Sequence, residues 1–237
     1  MNADLHINDW EESYGRKENF IVYPKEEVVK FLTRFVKKRD ALSLKDDFKQ
    51  PEKRRPRALD FGCGIGRQTI LLSEFGIDAW GGDLSRNALN FASQMVEEMK
   101  PFIKGEINFF SIDGTSLPFE DNFFETGICE SVLDSMWFEL AKEIIKELNR
   151  VISTKLYISL ISSDCQKEQK PIDEVVATSH EKNTIQSYYD MKKINELLSD
   201  TGWKIQWYNL ITEMVPQTNF KNARYHIVLH KEEERYK

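Results

Sequence analysis

The residues with the clearest chemical potential are in Leu59-Asp60-Phe61-Gly62-Cys63-Gly64-Ile65-Gly66-Arg67, followed by Asp83. Glycines at alternate positions remove Cβ atoms where the backbone turns tightly, so a ligand can lie against bare main chain. A second acid, about 20 residues on at the end of the next strand, can accept hydrogen bonds from two ribose hydroxyls. The pattern of a buried strand, a glycine bend, a helix and a second acidic strand end therefore predicts a nucleoside-like ligand.

The glycine spacing narrows the choice. A dinucleotide fingerprint runs G-x-G-x-x-G, whereas Gly62, Gly64 and Gly66 give G-x-G-x-G and put Arg67 in the last glycine position. Asp60 would repel a pyrophosphate but could pair with a ligand ammonium. The stretch resembles motif I of the class I S-adenosylmethionine-dependent methyltransferases, whose usual form is close to L-D-x-G-C-G-x-G. Ala79-Trp80-Gly81-Gly82-Asp83-Leu84-Ser85 is similar to that family's second strand and its ribose acid. Phe110-Ser111-Ile112-Asp113-Gly114 looks like the third strand and the acid that meets the adenine amino group. Leu117 to Glu125 resembles the family's L-P-F-x-D-x-x-F-D run, with Glu125 in place of the last Asp. Glu130-Ser131-Val132-Leu133-Asp134 occupies the loop after the fourth strand. The resemblance is good over roughly residues 19 to 161 and loose over the remainder.

The resemblance implies an α/β fold with a doubly wound, mostly parallel seven-stranded sheet and an antiparallel C-terminal hairpin strand. It implies S-adenosyl-L-methionine as cofactor and methyl transfer by in-line displacement. Asp60 and the backbone of Gly62 and Gly64 would face the methionine end, and Asp83 the ribose. Asp113 with the Gly114 backbone would meet adenine, and Glu130 and Ser131 would start the loop under the methyl group. Cys63, Gly66 and Leu84 complete the expected cofactor contacts; Cys63 reads as a small packing residue of the bend and not as a nucleophile. The candidate general bases are Asp134, in the loop after the fourth strand, and His226, on a late strand, each set against a plain structural reading as loop carboxylate and packed histidine. His180 and Tyr23 are further candidates.

Bulk properties limit the alternatives. A chain of 237 residues fits one α/β domain with an insertion. A formal net charge of −6 opposes general nucleic-acid or anionic-membrane binding, which needs a basic surface. No apolar run approaches a membrane span, and the first residues lack a signal peptide's apolar core. Cys63, Cys129 and Cys165 are isolated, which points away from a metal cluster or disulfide framework and toward a reducing cytoplasm. The expected partner is a small-molecule or sugar-like acceptor, and the expected state a monomer or homodimer.

Four segments of one methyltransferase domain spanning 1–237 emerge from the patterning. Residues 1–57 form an N-terminal cap helix and linker, with Val28, Val29, Leu32, Phe35 and Val36 at helical spacing over 26–37. A charged, helix-poor connection follows, ending in the basic run Lys53 to Arg57, read as a solvated loop. Residues 58–161 alternate strand and helix patterns, which implies right-handed crossovers and a parallel sheet. Residues 162–188 are polar and without period, so they are expected to be a substrate insertion or lid, with Tyr188 and Tyr189 able either to line a substrate cavity or simply to pack. Residues 189–237 hold a helix capped by Asp190 and two strands joined too closely for a crossover, hence antiparallel. Two other functions fit a sheet of this kind: a non-catalytic cofactor-binding protein, and a nicotinamide-dependent oxidoreductase.

Overall fold

A computed structural model describes residues 6–40, 43–46, 54–165, 172–218 and 220–231. In chain order the elements begin with α1 (Ile7–Gly15) and α2 (Glu26–Phe31), whose end widens into a π-turn over Leu32–Val36. Strands β1 (Lys37–Asp40) and β2 (Ser43–Asp46) form a small antiparallel pair. The core then runs β3 (Arg57–Phe61), α3 (Arg67–Glu74), β4 (Asp78–Asp83), α4 (Arg86–Met99), β5 (Ile107–Ser111), β6 (Phe124–Glu130), α5 (Phe138–Val151) and β7 (Ile152–Ile161). After it come the short pair β8 (Asp173–Val175) and β9 (Ile185–Ser187), then α6 (Met191–Leu198), β10 (Trp203–Val215) and β11 (Phe220–Lys231).

The main sheet has seven strands in the order β10-β11-β7-β6-β3-β4-β5. The five strands β5, β4, β3, β6 and β7 pair in parallel, and β11 enters antiparallel against both β7 and β10. This is the expected doubly wound sheet with its antiparallel C-terminal strand. Successive residues of a strand face opposite sides, and the burial shows both sides covered. Leu59, Leu156 and Ile158 join α5 and α6 in one apolar cluster. Ala58, Tyr157 and Val228 join α2, the π-turn and α3 in another.

Local chemistry explains the boundaries. Ser85 caps α4, its Oγ accepting from Ala88 N at 3.1 Å, and Asp190 caps α6, its Oδ1 accepting from Lys193 N at 2.7 Å. Gly76, with φ +74°, ends the turn after α3.

The structure departs from the sequence expectations at three places. Helix α1 precedes the helix expected to come first, and the helical spacing over 26–37 resolves into α2 and the π-turn. The connection before β3 carries a hairpin, and in its basic run Arg54 pairs with Glu125, whose other oxygen accepts from Arg57 N at 2.6 Å; Lys53 lies outside the described residues. The expected patternless insertion 162–188 holds β8 and β9, while its residues 166–171 also lie outside. Among the described residues, no helix is long and apolar enough to cross a membrane.

Candidate functional site

Strands β3, β4 and β6 run side by side and end at one edge of the sheet, which brings Asp60, Asp83 and Glu130 together. The bend after β3 is fastened to the end of β4: Gly62 N and Cys63 N both donate to Gly82 O, at 2.8 and 2.9 Å. Gly62, Gly64 and Gly66 have φ of +72°, +53° and +83°, the left-handed region that glycine enters freely. Asp83 secures the bend from below, its Oδ2 accepting from Gly64 N at 2.8 Å and its Oδ1 from Ser85 N at 2.9 Å. Thr69 Oγ1 donates to Asp60 Oδ2 at 2.6 Å.

Burial dominates the titration of these acids. It pushes Asp60 up to about 7, helped by the nearby Glu130 and Asp83 carboxylates and opposed by the Thr69 hydroxyl and Arg67. It also pushes Asp83 up to about 6 against the pull of three backbone N–H groups. Burial raises Glu130 as well, but Arg67, the Ser131 hydroxyl and Arg224 outweigh it and leave that acid below its ordinary range. Arg67 Nη2 donates to Glu130 Oε2 at 2.9 Å and Ser131 Oγ to Glu130 Oε1 at 2.6 Å.

A roof closes over this floor. Trp10 and Tyr14 descend from α1, which Glu11 ties to the start of α4 by accepting from Ser85 Oγ at 2.5 Å and from Asn87 N. Glu18 accepts from Ser13 Oγ at 2.8 Å, from Arg16 Nε at 2.8 Å and from Glu181 N at 3.1 Å. The last bond joins the N-terminal segment to the insertion. The bareness of two glycines serves these neighbours: a Cβ on Gly62 would lie 2.3 Å from a Val132 methyl, and one on Gly64 would lie 2.5 Å from Tyr14 Oη.

Two cavities remain between roof and floor. The smaller, about 90 Å³, is lined mainly by apolar side chains, including Phe61, Leu84, Ile112, Val132, Met136 and Leu140, with Asp83 and Gly114 beside them. The larger, about 270 Å³, is polar, with Asp60, Arg67, Gln68, Glu130, Glu181 and Arg224 on its walls. Trp10, Tyr14, Gly62, Ser131 and Ser135 line both, so the cavities meet there. Ser131 holds φ +59° at this junction, an uncommon conformation for a non-glycine residue, which concentrates at functional sites. Ser131 N donates to Ser159 Oγ at 2.9 Å.

Of the expected cofactor residues, Asp60, Gly62, Cys63, Gly64, Asp83, Leu84, Gly114, Glu130 and Ser131 line one cavity or both. Gly66 does not; it makes room for Ala92 and Phe109. Asp113 is exposed and lines neither cavity. The expected bases also stand outside. Asp134 is 1% exposed. Its Oδ2 accepts from Arg224 Nη1 at 2.7 Å and from Ile161 N at 2.8 Å, so it is held as a buried partner of an arginine. His226 is buried with Nδ1 2.7 Å from Tyr157 Oη, and burial drives it down to about 4, which leaves it neutral and weakly basic. His180 and Tyr23 are exposed. Tyr189 is fully buried and donates to Leu133 O at 3.0 Å, while Tyr188 bonds Glu174 and Gln186; both pack.

Sequence reading missed Trp10, Lys25, Gln68, Glu181, Gln186 and Arg224 as site residues. Gln68 carried a signal: it lies three and four residues before Leu71 and Leu72, on the buried face of α3. It is 3% exposed, with neither amide atom hydrogen-bonded to the protein.

Comparison with known proteins bears on this geometry. Residues 59–158 match the family model described as a methyltransferase domain. Among curated proteins nothing matches. A SAM-dependent methyltransferase structure from Methanosarcina mazei aligns at TM-score 0.64 and 20% identity, covering 75% of this chain and 92% of that one. Magnesium protoporphyrin IX methyltransferase from Synechocystis with bound SAH aligns at TM-score 0.59 and 19% identity, covering 75% of each chain. A structure described as "Conversion of a Disulfide Bond into a Thioacetal Group during Echinomycin Biosynthesis" aligns at TM-score 0.66 and 15% identity, over 98% of this chain and 94% of that one. These likenesses establish the fold.

Proposed function

We propose that this chain, whose residues 59–158 match a methyltransferase domain family, is a class I S-adenosylmethionine-dependent methyltransferase that transfers the methyl group of S-adenosyl-L-methionine to a small, polar acceptor. The observation that carries this reading is the pair of abutting cavities, one apolar beside Asp83 and one polar beside Asp60, which meet at Ser131. The two halves of the cofactor have those same polarities. By polarity the adenosine is assigned to the side of the smaller cavity, with its ribose hydroxyls toward Asp83 and its base toward Leu84 and Ile112. The methionine end fits the near part of the larger, its ammonium toward Asp60 and its carboxylate toward Arg67. The sulfonium then lies at the junction, with its methyl facing the remaining space of the larger cavity, where the acceptor enters.

Bound there, the cofactor supplies an electrophilic methyl group. The protein contributes alignment of nucleophile, methyl and sulfur, an effect that reaches roughly 7–11 kcal/mol in favourable cases. None of the chain's four histidines lines either cavity, so no imidazole base enters the scheme. The insertion contributes Glu181 and Gln186 to the larger cavity, and acceptor choice is assigned to them, as loops on a rigid scaffold commonly carry specificity.

Calorimetry with S-adenosylhomocysteine tests the assignment. Asp83→Asn should weaken binding by about 1–3 kcal/mol, the cost of leaving buried polar groups badly paired. Unchanged affinity in that variant would remove the ribose role. Absence of labelled product from incubation of labelled methyl donor with cell-extract acceptors, despite normal cofactor binding, would favour the non-catalytic reading of the same fold.

A further inference from the structure

The far wall of the larger cavity carries a guanidinium that is only half engaged. Arg224 sits on β11, and its Nη1 donates to Asp134 Oδ2 at 2.7 Å and to Ser159 Oγ at 3.4 Å. Its Nε and Nη2 have no hydrogen-bond partner among the described residues, and neither is among the buried polar atoms left unsatisfied. Both therefore reach open space, and Arg224 lines the larger cavity. The side chain is 19% exposed, against 1% for the Asp134 that pins it. Lys25 lines the same cavity from its exposed rim. Its charge bears on Glu130 and His226, the two groups that Arg224 also influences, which puts both cations on one flank.

An arginine fixed at one corner by a buried carboxylate presents its other edge in a set plane, and that edge matches two oxygens of a carboxylate or phosphate. Arg67, paired with Glu130, is already assigned to the carboxylate of the cofactor's methionine end.

We propose that the methyl acceptor carries an oxyanion, gripped by the Nε–Nη2 edge of Arg224 and drawn in by Lys25, with Asp134 acting as the positioning residue that aims Arg224. This rests on the methyl-transfer reading and deepens it by naming the acceptor's chemical class. It gives Asp134 a function without contact with the reacting atoms, and it explains why a buried acid and arginine are kept together at the end of the sheet next to the junction.

The test uses the full chain saturated with S-adenosylhomocysteine and titrated with succinate and, separately, with inorganic phosphate. At least one should bind, and the stronger identifies the oxyanion. Arg224→Lys keeps a charge for Asp134 but loses the planar edge; it should weaken that binding roughly 10- to 100-fold, as expected for one lost charge-assisted bond. Lys25→Gln, at an exposed position that folding does not need, should weaken it about twofold to fivefold. Cofactor-product affinity should hold in both variants. In parallel, an extract is split on an anion-exchange column and each fraction is incubated with labelled methyl donor; label should appear in the retained fraction. No binding of either anion, equal binding in the Lys25 variant, or label confined to the flow-through would overturn the proposal. Failure of S-adenosylhomocysteine to bind the unaltered chain would instead strike the methyl-transfer reading, and anion titration of the empty protein would still decide this one.

Discussion

Asp60 should make cofactor affinity depend on pH, and the size of the effect can be worked out. Burial pushes Asp60 up to about 7 and Asp83 up to about 6. A ligand ammonium needs Asp60 ionised, so the protein is competent only in the fraction that has lost that proton. Apparent affinity scales with the competent fraction: for Asp60 this is roughly one-eleventh at pH 6 and three-quarters at pH 7.5, about an eightfold gain. Asp83 adds about twofold over the same interval, giving a total near 16-fold. The folding stability of the chain runs the other way. Acids raised by folding favour the protonated folded state, so their contribution is present below the ordinary carboxylate range and is lost as pH climbs through about 6 and 7. Calorimetry with S-adenosylhomocysteine at the two pH values, in buffers of different ionisation enthalpy, reads both the affinity and the protons released. Asp60→Asn should cut the gain to the roughly twofold share of Asp83. 5′-Methylthioadenosine, which lacks the amino-acid end, should show that same small gain with the unaltered chain. Equal affinity at both pH values, or a full slope surviving in Asp60→Asn, would refute the pairing of Asp60 with the ammonium.

Two further perturbations probe the frame of the site. Gly62→Ala places a methyl 2.3 Å from Val132 at φ +72°, so urea unfolding should show a loss of about 2–5 kcal/mol from backbone strain plus overpacking. On a Val132→Ala background only the backbone share, about 1–2 kcal/mol, should remain; an equal loss on both backgrounds would show that the contact is not the cause. Glu18→Gln weakens the tie between the N-terminal segment and the insertion, so stopped-flow release of S-adenosylhomocysteine should quicken by roughly tenfold, the value of a charge-assisted bond made only when the roof is closed. The hydrogen bond from Arg16, with Ser13 and Glu181 N, holds Glu18 down to about 2, so the tie should last at acidic pH and be lost only as pH falls through that value. An unchanged release rate would mean that the roof does not gate the cofactor.

The parts of this molecule legible in its sequence are those set by local rules. The glycine bend needs particular backbone angles, Ser85 and Asp190 cap their own helices, and the spacing of β10 and β11 leaves room only for an antiparallel return. Helix α1 escaped because its apolar face is just Ile7, Trp10 and Tyr14, and its anchor is Glu11, which bonds residues more than seventy positions away. Arg224 and Asp134 are separated by 90 positions and meet only because β11 slots between β7 and β10. No local pattern announces such a pair, so Asp134 read as a candidate general base in its loop. His226 misled for the same reason: its partner Tyr157 belongs to a strand that sequence alone cannot place beside it. The bend itself was found, but part of its reason was hidden, since the space beside Gly62 and Gly64 serves Val132 and Tyr14.

The charge arrangement at the junction fits the demands of the proposed reaction. A sulfonium loses its positive charge as the methyl departs, so an unpaired carboxylate beside the sulfur would stabilise the ground state more than the transition state and slow the step. In the proposed placement of the cofactor Glu130 stands at that point, beside Ser131, where Arg67 and the Ser131 hydroxyl engage its two oxygens. Asp60, which burial pushes up to about 7, would become fully charged beside a ligand ammonium. Ser131 is held in its costly conformation from two sides, by Ser159 and Glu130, and in the proposed placement a residue so fixed would define the line along which the methyl travels. On the proposed reading the acids would grip the ends of the cofactor and aim arginines, leaving the sulfur between paired charges, where orientation would do the catalysis.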